Sequence, residues 1–599
     1  MPSSGISTNT NVDDFGFWGY SSSSSDTSLR AHIFLDNIVY TIGLPNSINP
    51  DSTTWTGNVS TAWMNSGNWT NGIPNSYTDV TIPSGRSRYP LITGDYSCKD
   101  LYIENGGTVT ISSSGSLTAN GNTTNYGIFT LSSDANGTGC FIDNGHVNGG
   151  TNYIFNRYFP NKGYHYISSP VDNGSASGLS GVKALYYYNE MDTSWKRDIG
   201  WVSQSTSGIL QNAKGYACNV TSATTKSFTG VPNTGDVTIS VSNSPNMNGR
   251  AMGYTDCDGW NLIGNPYPSC VNANYFLSYA GNSGISGTLY FWDDDQTGGQ
   301  GYNRNTDYAS YNVLGATSAT GGGSGVLPEG MIAPGQAFFV RLPSSGATTL
   351  YFQNWMRTNN PNSHFYIPVI KTERSSTRFS LRNNHNHFND LIIGFADDAT
   401  DGFDKLYDGE KMKAHPYTSF YSILNQNEMA IQGLSYPTST KIVPLGMDVK
   451  IEGQYEIKLE EKAKMPNNLK IVLEDRYLNV FTDLTNGKNK YTFKISLKGI
   501  YDHRFFIHYI PYQGPILVDI NENDVQDFEV YSSDNIVYIS NPEGKIIEYS
   551  IYDIAGKQVF KGKSENAITQ QTIDITGVYI VVINVNGLNK SYKVFINGN

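Results

Sequence analysis

The residues of this 599-residue chain best placed to do chemistry are its clustered carboxylates. DDDQTGGQGYNRNTD (Asp293 to Asp307) and DDATDGFD (Asp397 to Asp404) are dense in Asp and Gly. Calcium takes about six to eight oxygens from such side chains and carbonyls. Asp293, Asp295, Asp307, Asp397 and Asp401 are the candidate calcium ligands, and a solvated turn without an ion is the alternative. His385 and His387, two apart in RNNHNHFND, fall on one face of a strand and could share a metal. An exposed loop is the commoner use of such a pair. A glycosidase needs two opposed carboxylates. Asp293, Asp294, Glu329 and Asp397 are of the right type, but nothing in the sequence pairs them. For sugar stacking, Trp55, Trp63 and Trp69 offer ring faces, as do Trp260, Trp292 and Trp355. Small β-modules also bury Trp as core. No nucleophile elbow, phosphate loop, HExxH or dinucleotide fingerprint is present, so binding rather than catalysis is expected.

The composition says which elements must carry these residues. Only 15% of positions are Asp, Glu, Lys or Arg, aromatic residues reach 13%, and there are 61 Gly and 41 Tyr. Coiled coils and long surface helices need more Glu, Lys, Ala and Leu. Tyr, Thr, Ile and Val between Gly, Asn and Ser clusters predict many short strands joined by tight turns, an all-β chain. A net charge of −12 without a long basic block argues against nucleic-acid binding. No apolar run reaches the ~18 residues of a membrane-spanning helix. The five cysteines contain no Cys-x-x-Cys pair, which argues against structural zinc, and spacing alone does not say whether Cys257 bridges Cys270.

Along the chain, charged residues become about twice as dense after residue 360, following an Asn- and Pro-rich stretch (Met356 to Pro368). Residues 1–50 contain a strand-like stretch, Arg30 to Gly43. It reads either as the end of a jelly-roll-like module whose start is missing or as a strand pair belonging to the next domain. Residues 51–160 hold a Trp-rich segment and then short strands ending at Gly, Asn or Ser corners. These are read as rungs of a parallel β-solenoid with Val80, Ile82, Leu101, Ile103, Val109, Ile111, Leu117 and Leu131 stacked inward, a meander sandwich being the alternative. Over 161–360, GYHYISSP (Gly163 to Pro170) and GWNLIGNP (Gly259 to Pro266) open two series of four matching blocks, a duplicated β-sandwich. Residues 369–510 alternate as a further sandwich with one charged face. Residues 520–599 read as an Ig-like sandwich of short strands.

VYISNPEGK (Val537 to Lys545), YSIYDIAGKQVFKG (Tyr549 to Gly562) and IDITGVYIVVI (Ile573 to Ile583) resemble the type A C-terminal sorting domain of Bacteroidota type IX secretion cargo. TTWTGNVSTAWMNSGNWTNGIP (Thr53 to Pro74), IAPGQAFFV (Ile332 to Val340) and GFDKLYDGEKM (Gly402 to Met412) are similar to large surface proteins of the same bacteria. Asp51-Ser52-Thr53 resembles their O-glycosylation acceptor. The resemblance implies export to the outer surface or beyond, with the secretion translocon and outer-membrane shuttle proteins as partners. It makes Asp553, Gly556, Gly577 and Tyr579 fold determinants of the tail. The expected role is structural or adhesive, with surface glycans or further copies of the chain as partners. A carbohydrate-binding accessory part of a larger secreted polysaccharide-degrading enzyme is the alternative.

Overall fold

The computed structural model describes residues 50–599 except 192–199, 245–257, 294–307, 320–325, 360–373, 386, 413–417, 467–468, 486–488, 512–527, 534, 542–543, 586–587 and 597–599. The strand expected in Arg30 to Gly43 lies outside the described residues. Strands dominate, and Ala273–Ser278 is the single α-helix among the described residues.

Strands of two to four residues ending at polar corners coil over residues 79–149 as a solenoid of about four turns, with one short hairpin, Ser133–Asp134 against Gly137–Thr138, at a corner. One side stacks Asp79–Ile82, Leu101–Ile103, Thr123–Asn125 and Val147–Gly149 in parallel. A second aligns Ile92, Ile111, Leu131 and Phe155, and the third aligns Tyr96, Leu117 and Phe141. All eight residues expected to stack inward are buried. Successive turns approach so closely at one corner that a Cβ on Gly127 would lie 2.2 Å from the Gly107 carbonyl oxygen.

The tryptophans close the first turn. Trp69 meets Trp55 and Trp63 edge to face, with ring centroids 4.9 and 4.8 Å apart, and its indole N–H donates to the Trp63 carbonyl at 2.7 Å. Buried Asn68 holds the loop around them, accepting from the Val59 and Ser60 N–H groups and donating to the Ala62 carbonyl.

The last solenoid strand, Tyr153–Phe159, also pairs antiparallel with Thr224–Thr229 and so begins the first repeat. Its counterpart, Val237–Asn243, pairs with Gly346–Phe352 in the second. Each repeat then lays a second sheet against this pair in the same order. In the first it runs Gly163–Ile167, Tyr216–Val220, Ala184–Tyr188, Trp201–Ser203; in the second, Trp260–Gly264, Ala337–Arg341, Leu289–Trp292, Tyr308–Asn312. Pairing aligns Ile167 with Ile263, Tyr216 with Phe338 and Lys214 with Gln336.

The two repeats meet reciprocally. Ile167 bridges Gln336 while Lys214 bridges Ile263, and the Ser168 N–H donates to Gly335 while the Gly264 N–H donates to Ala213. Such exchange of equivalent contacts is the pattern of a two-fold interface. Tyr166, Leu262, Tyr290, Ala337 and Phe339 fill it, flanked by Tyr188, Trp201, Trp260 and Trp292.

Residues 375–511 form one 12-stranded sheet, antiparallel except where Phe388–Phe395 runs parallel to Asn427–Leu434. It is rolled so that strands far apart in its order share one core; Phe493 and Phe505 rings lie 4.5 Å apart. Buried Asp475 takes two bonds from Arg504, at 3.0 and 2.8 Å, and one from the Tyr491 hydroxyl. The charged pattern of this segment thus reaches inward here, as it does at buried Asp390, which takes a bond from Arg378 at 2.9 Å. Residues 529–596 form a sandwich of one three-stranded and one four-stranded sheet with its own core.

Replacing Trp63 by Ala should cost about 3–5 kcal/mol of solenoid stability. Amide exchange across residues 79–149 should accelerate first, while exchange in residues 375–511 should stay unchanged.

Candidate functional site

The Trp-rich opening is not an aromatic surface. Trp55, Trp63 and Trp69 are 0%, 1% and 5% exposed, so none presents a face to a sugar. Their burial follows from closing the first turn, which would otherwise leave its apolar end in water. Trp260 and Trp292 lie between the two repeats.

Trp355 is different: it is 54% exposed, beside Tyr275 at 50%. The helix Ala273–Ser278 carries Tyr275, and Asn272 caps it by accepting from the Asn274 and Tyr275 N–H groups. Tyr279 ends that helix, Tyr351 sits near the end of Gly346–Phe352, and Trp355 lies in the short turn Asn354–Met356. The rings make successive contacts. Tyr275 and Trp355 centroids are 5.4 Å apart, Trp355 and Tyr279 6.2 Å, and Tyr279 and Tyr351 6.0 Å.

This platform is fixed from beneath. Buried Asn282 donates to the Phe276 and Tyr351 carbonyls and accepts from the Tyr351 N–H at 2.8 Å, locking strand to helix. Phe276 packs on Phe352 with centroids 4.7 Å apart. Met356 is buried behind Trp355, and the Asn354 N–H donates to Asp236 at 2.9 Å. Gly281 leaves room for the rings, since a Cβ there would lie 2.5 Å from the Tyr279 ring. Rigid aromatic faces with hydroxyl edges suit stacking on a flat, polar-rimmed ligand and lose little entropy in doing so.

The acidic loop spends its carboxylates internally. Asp401 pairs with Lys441 and accepts from the Ser435 hydroxyl, so a lysine ammonium occupies the position a cation would take. Asp404 accepts from the Thr400 N–H, and Tyr407 donates to Asp398 at 2.6 Å. Asp397 is exposed. Asp293 is buried after Leu289–Trp292, while Asp294, Asp295 and Asp307 lie outside the described residues, as does Cys257. Among the described residues no cluster of three or more His, Cys, Asp or Glu could hold a metal ion. His385 and His387, with rings 6.1 Å apart, flank a turn in which Asn383 accepts both backbone N–H groups. Burial pushes the Glu329 carboxyl up to about 7, and its Oε1 has no hydrogen-bond partner among the described residues.

In the C-terminal sandwich Asp553 accepts from the Ala555 and Lys557 N–H groups across a turn in which Gly556 takes φ 79°. Tyr579 donates back to the Ile575 carbonyl at 2.9 Å, a tyrosine-corner contact. Gly577 opens its strand, and a Cβ there meets nothing nearer than the Tyr579 ring at 3.6 Å.

Residues 54–509 match the profile of a family described as a domain of unknown function (DUF8693). The chain belongs to the DUF8693 family. The match runs from the tryptophan-closed turn to the end of the rolled sheet, so the aromatic platform lies within the DUF8693 region and the C-terminal sandwich lies outside it. No curated protein matches the chain.

The same acidic loop carries a pH signature. Asp408 is fully buried, and burial pushes its carboxyl up to about 7, against the Asp404 and Gly433 N–H groups that favour the charged form. A carboxyl raised by folding adds stability that is complete below its unfolded value and lost as pH rises through about 7. Thermal melts should therefore fall between about pH 4 and pH 8, and Asp408→Asn should remove that part of the slope.

Proposed function

We propose that this chain is an extracellular structural and adhesive protein, carried out by type IX secretion, that grips surface glycans through Tyr275, Tyr279, Tyr351 and Trp355. The half-exposed Trp355–Tyr275 pair, held on a rigid base, is the observation that carries the reading. Stacking of indole and phenol faces on sugar rings needs such pre-set geometry. The solenoid and the two repeats, joined through buried contacts, give a firm support for a contact surface. The C-terminal sandwich has a core of its own outside the family match, and its sequence pattern, which resembles a sorting tail, supports that part of the reading. The platform would serve equally well in an accessory module of a secreted polysaccharide-degrading enzyme. The two readings differ in whether the isolated chain holds cells to a glycan surface.

Pull-down on insoluble polysaccharides and a glycan array test the contact. Trp355→Ala should weaken retention roughly tenfold, the loss of one stacked ring, with an unchanged melting profile. Equal retention of the variant and the parent chain would remove the platform from the reading. Cells expressing a truncate without residues 520–599 should hold it inside, and its normal appearance in the medium would end the sorting-tail assignment.

A further inference from the structure

The solenoid and the second repeat each place a cysteine at their shared boundary. Cys140 begins the solenoid strand Cys140–Asp143, and Cys270 begins Cys270–Asn272 in the second repeat. The residues are 130 positions apart, yet their sulfurs lie 3.8 Å from each other and both side chains are fully buried. The backbone on either side is already fixed. The Phe141 N–H donates to the Pro268 carbonyl at 2.8 Å. Arg357 joins the Phe141 carbonyl to the Ser269 hydroxyl. The buried Arg157 guanidinium interacts electrostatically with both sulfurs and donates to Thr138 and to the Pro334 carbonyl. Cys98 and Cys218 sit in other strands, Asp95–Cys98 and Tyr216–Val220.

We infer that Cys140 and Cys270 are joined by a disulfide that staples the solenoid to the second repeat. An S–S bond is about 2.05 Å, so the two sulfurs close a gap of less than 2 Å on joining. The oxidant is a protein or small-molecule disulfide, available outside the cytoplasm, so the inference rests on the exported reading above. One cysteine thiolate attacks a sulfur of that disulfide, forming a mixed disulfide and releasing one oxidant thiol. The second thiolate then attacks the cysteine sulfur of the mixed disulfide and expels the other. The two cysteines give up two electrons and two protons, and the oxidant leaves as two thiols. Both sulfurs are enclosed once the modules dock, so the mixed disulfide forms before docking, the second attack accompanies it, and the finished bond is shielded from reductants.

The test is peptide mapping of the full-length chain, alkylated under denaturing conditions without reductant. Two sources are compared: protein collected outside the producing cells, and protein refolded in a mixture of oxidised and reduced glutathione. A peptide pair linking Cys140 to Cys270, lighter by two hydrogens and absent from Cys140→Ser, is expected from both, with Cys98 and Cys218 alkylated. Free thiols at 140 and 270 in both sources, or Cys270 linked to Cys257, would overturn the inference. Linkage in the glutathione arm but not in the cell-derived protein would uphold the pair and overturn the exported reading instead.

Discussion

One buried guanidinium fixes the solenoid against the second repeat. Arg357 donates to the Asp143 and Phe141 carbonyls and to the Asp143 carboxylate of the solenoid. It also donates to Ser269 and Asn354 of the second repeat, and lies over the Tyr267 ring. Taking a cation out of water costs several kcal/mol unless its donors are met, and here the acceptors come from both modules. The charge is therefore stable only when solenoid and repeat are docked. Because Asn354 precedes Trp355, the same bond sets the base of the exposed aromatic series.

Much of this architecture is legible in the residues, because strand periodicity and Gly–Asn corners are local signals. The inward stack from Val80 to Leu131 and the matched openings at Gly163 and Gly259 follow from spacing alone. What spacing does not give is which neighbour a side chain finds. Trp55, Trp63 and Trp69 have the same composition whether they line a surface or close a turn, and the Asn68 loop that encloses them depends on contacts outside any short window. Strand Tyr153–Phe159 serves two modules at once, a role invisible to a reading that assigns each segment to one unit. Asp401 is a calcium-ligand type by sequence, but Lys441, forty positions away, takes it.

Of the aromatic series, sequence reading found Trp355 but not its tyrosine partners, for a related reason. Its signal is present as two pairs spaced by four, Tyr275 with Tyr279 and Tyr351 with Trp355. A spacing of four is meaningful on a helix and ambiguous elsewhere. Only the first pair belongs to a helix; the second spans the end of a strand and a tight turn. Their meeting is a long-range event fixed by Asn282, whose amide bonds to both segments.

The reciprocal contact between the repeats has a consequence of its own. Partners that would otherwise meet only at sufficient protein concentration are here tethered, so their association follows linker length rather than abundance. Tethering also frees each half from duplicating its twin on the outside. One half has given its outer strand to the solenoid, and the other presents Trp355 to solvent. A symmetric seam has thus become a point of divergence, with equivalent inner contacts keeping the join while the outer surfaces differ.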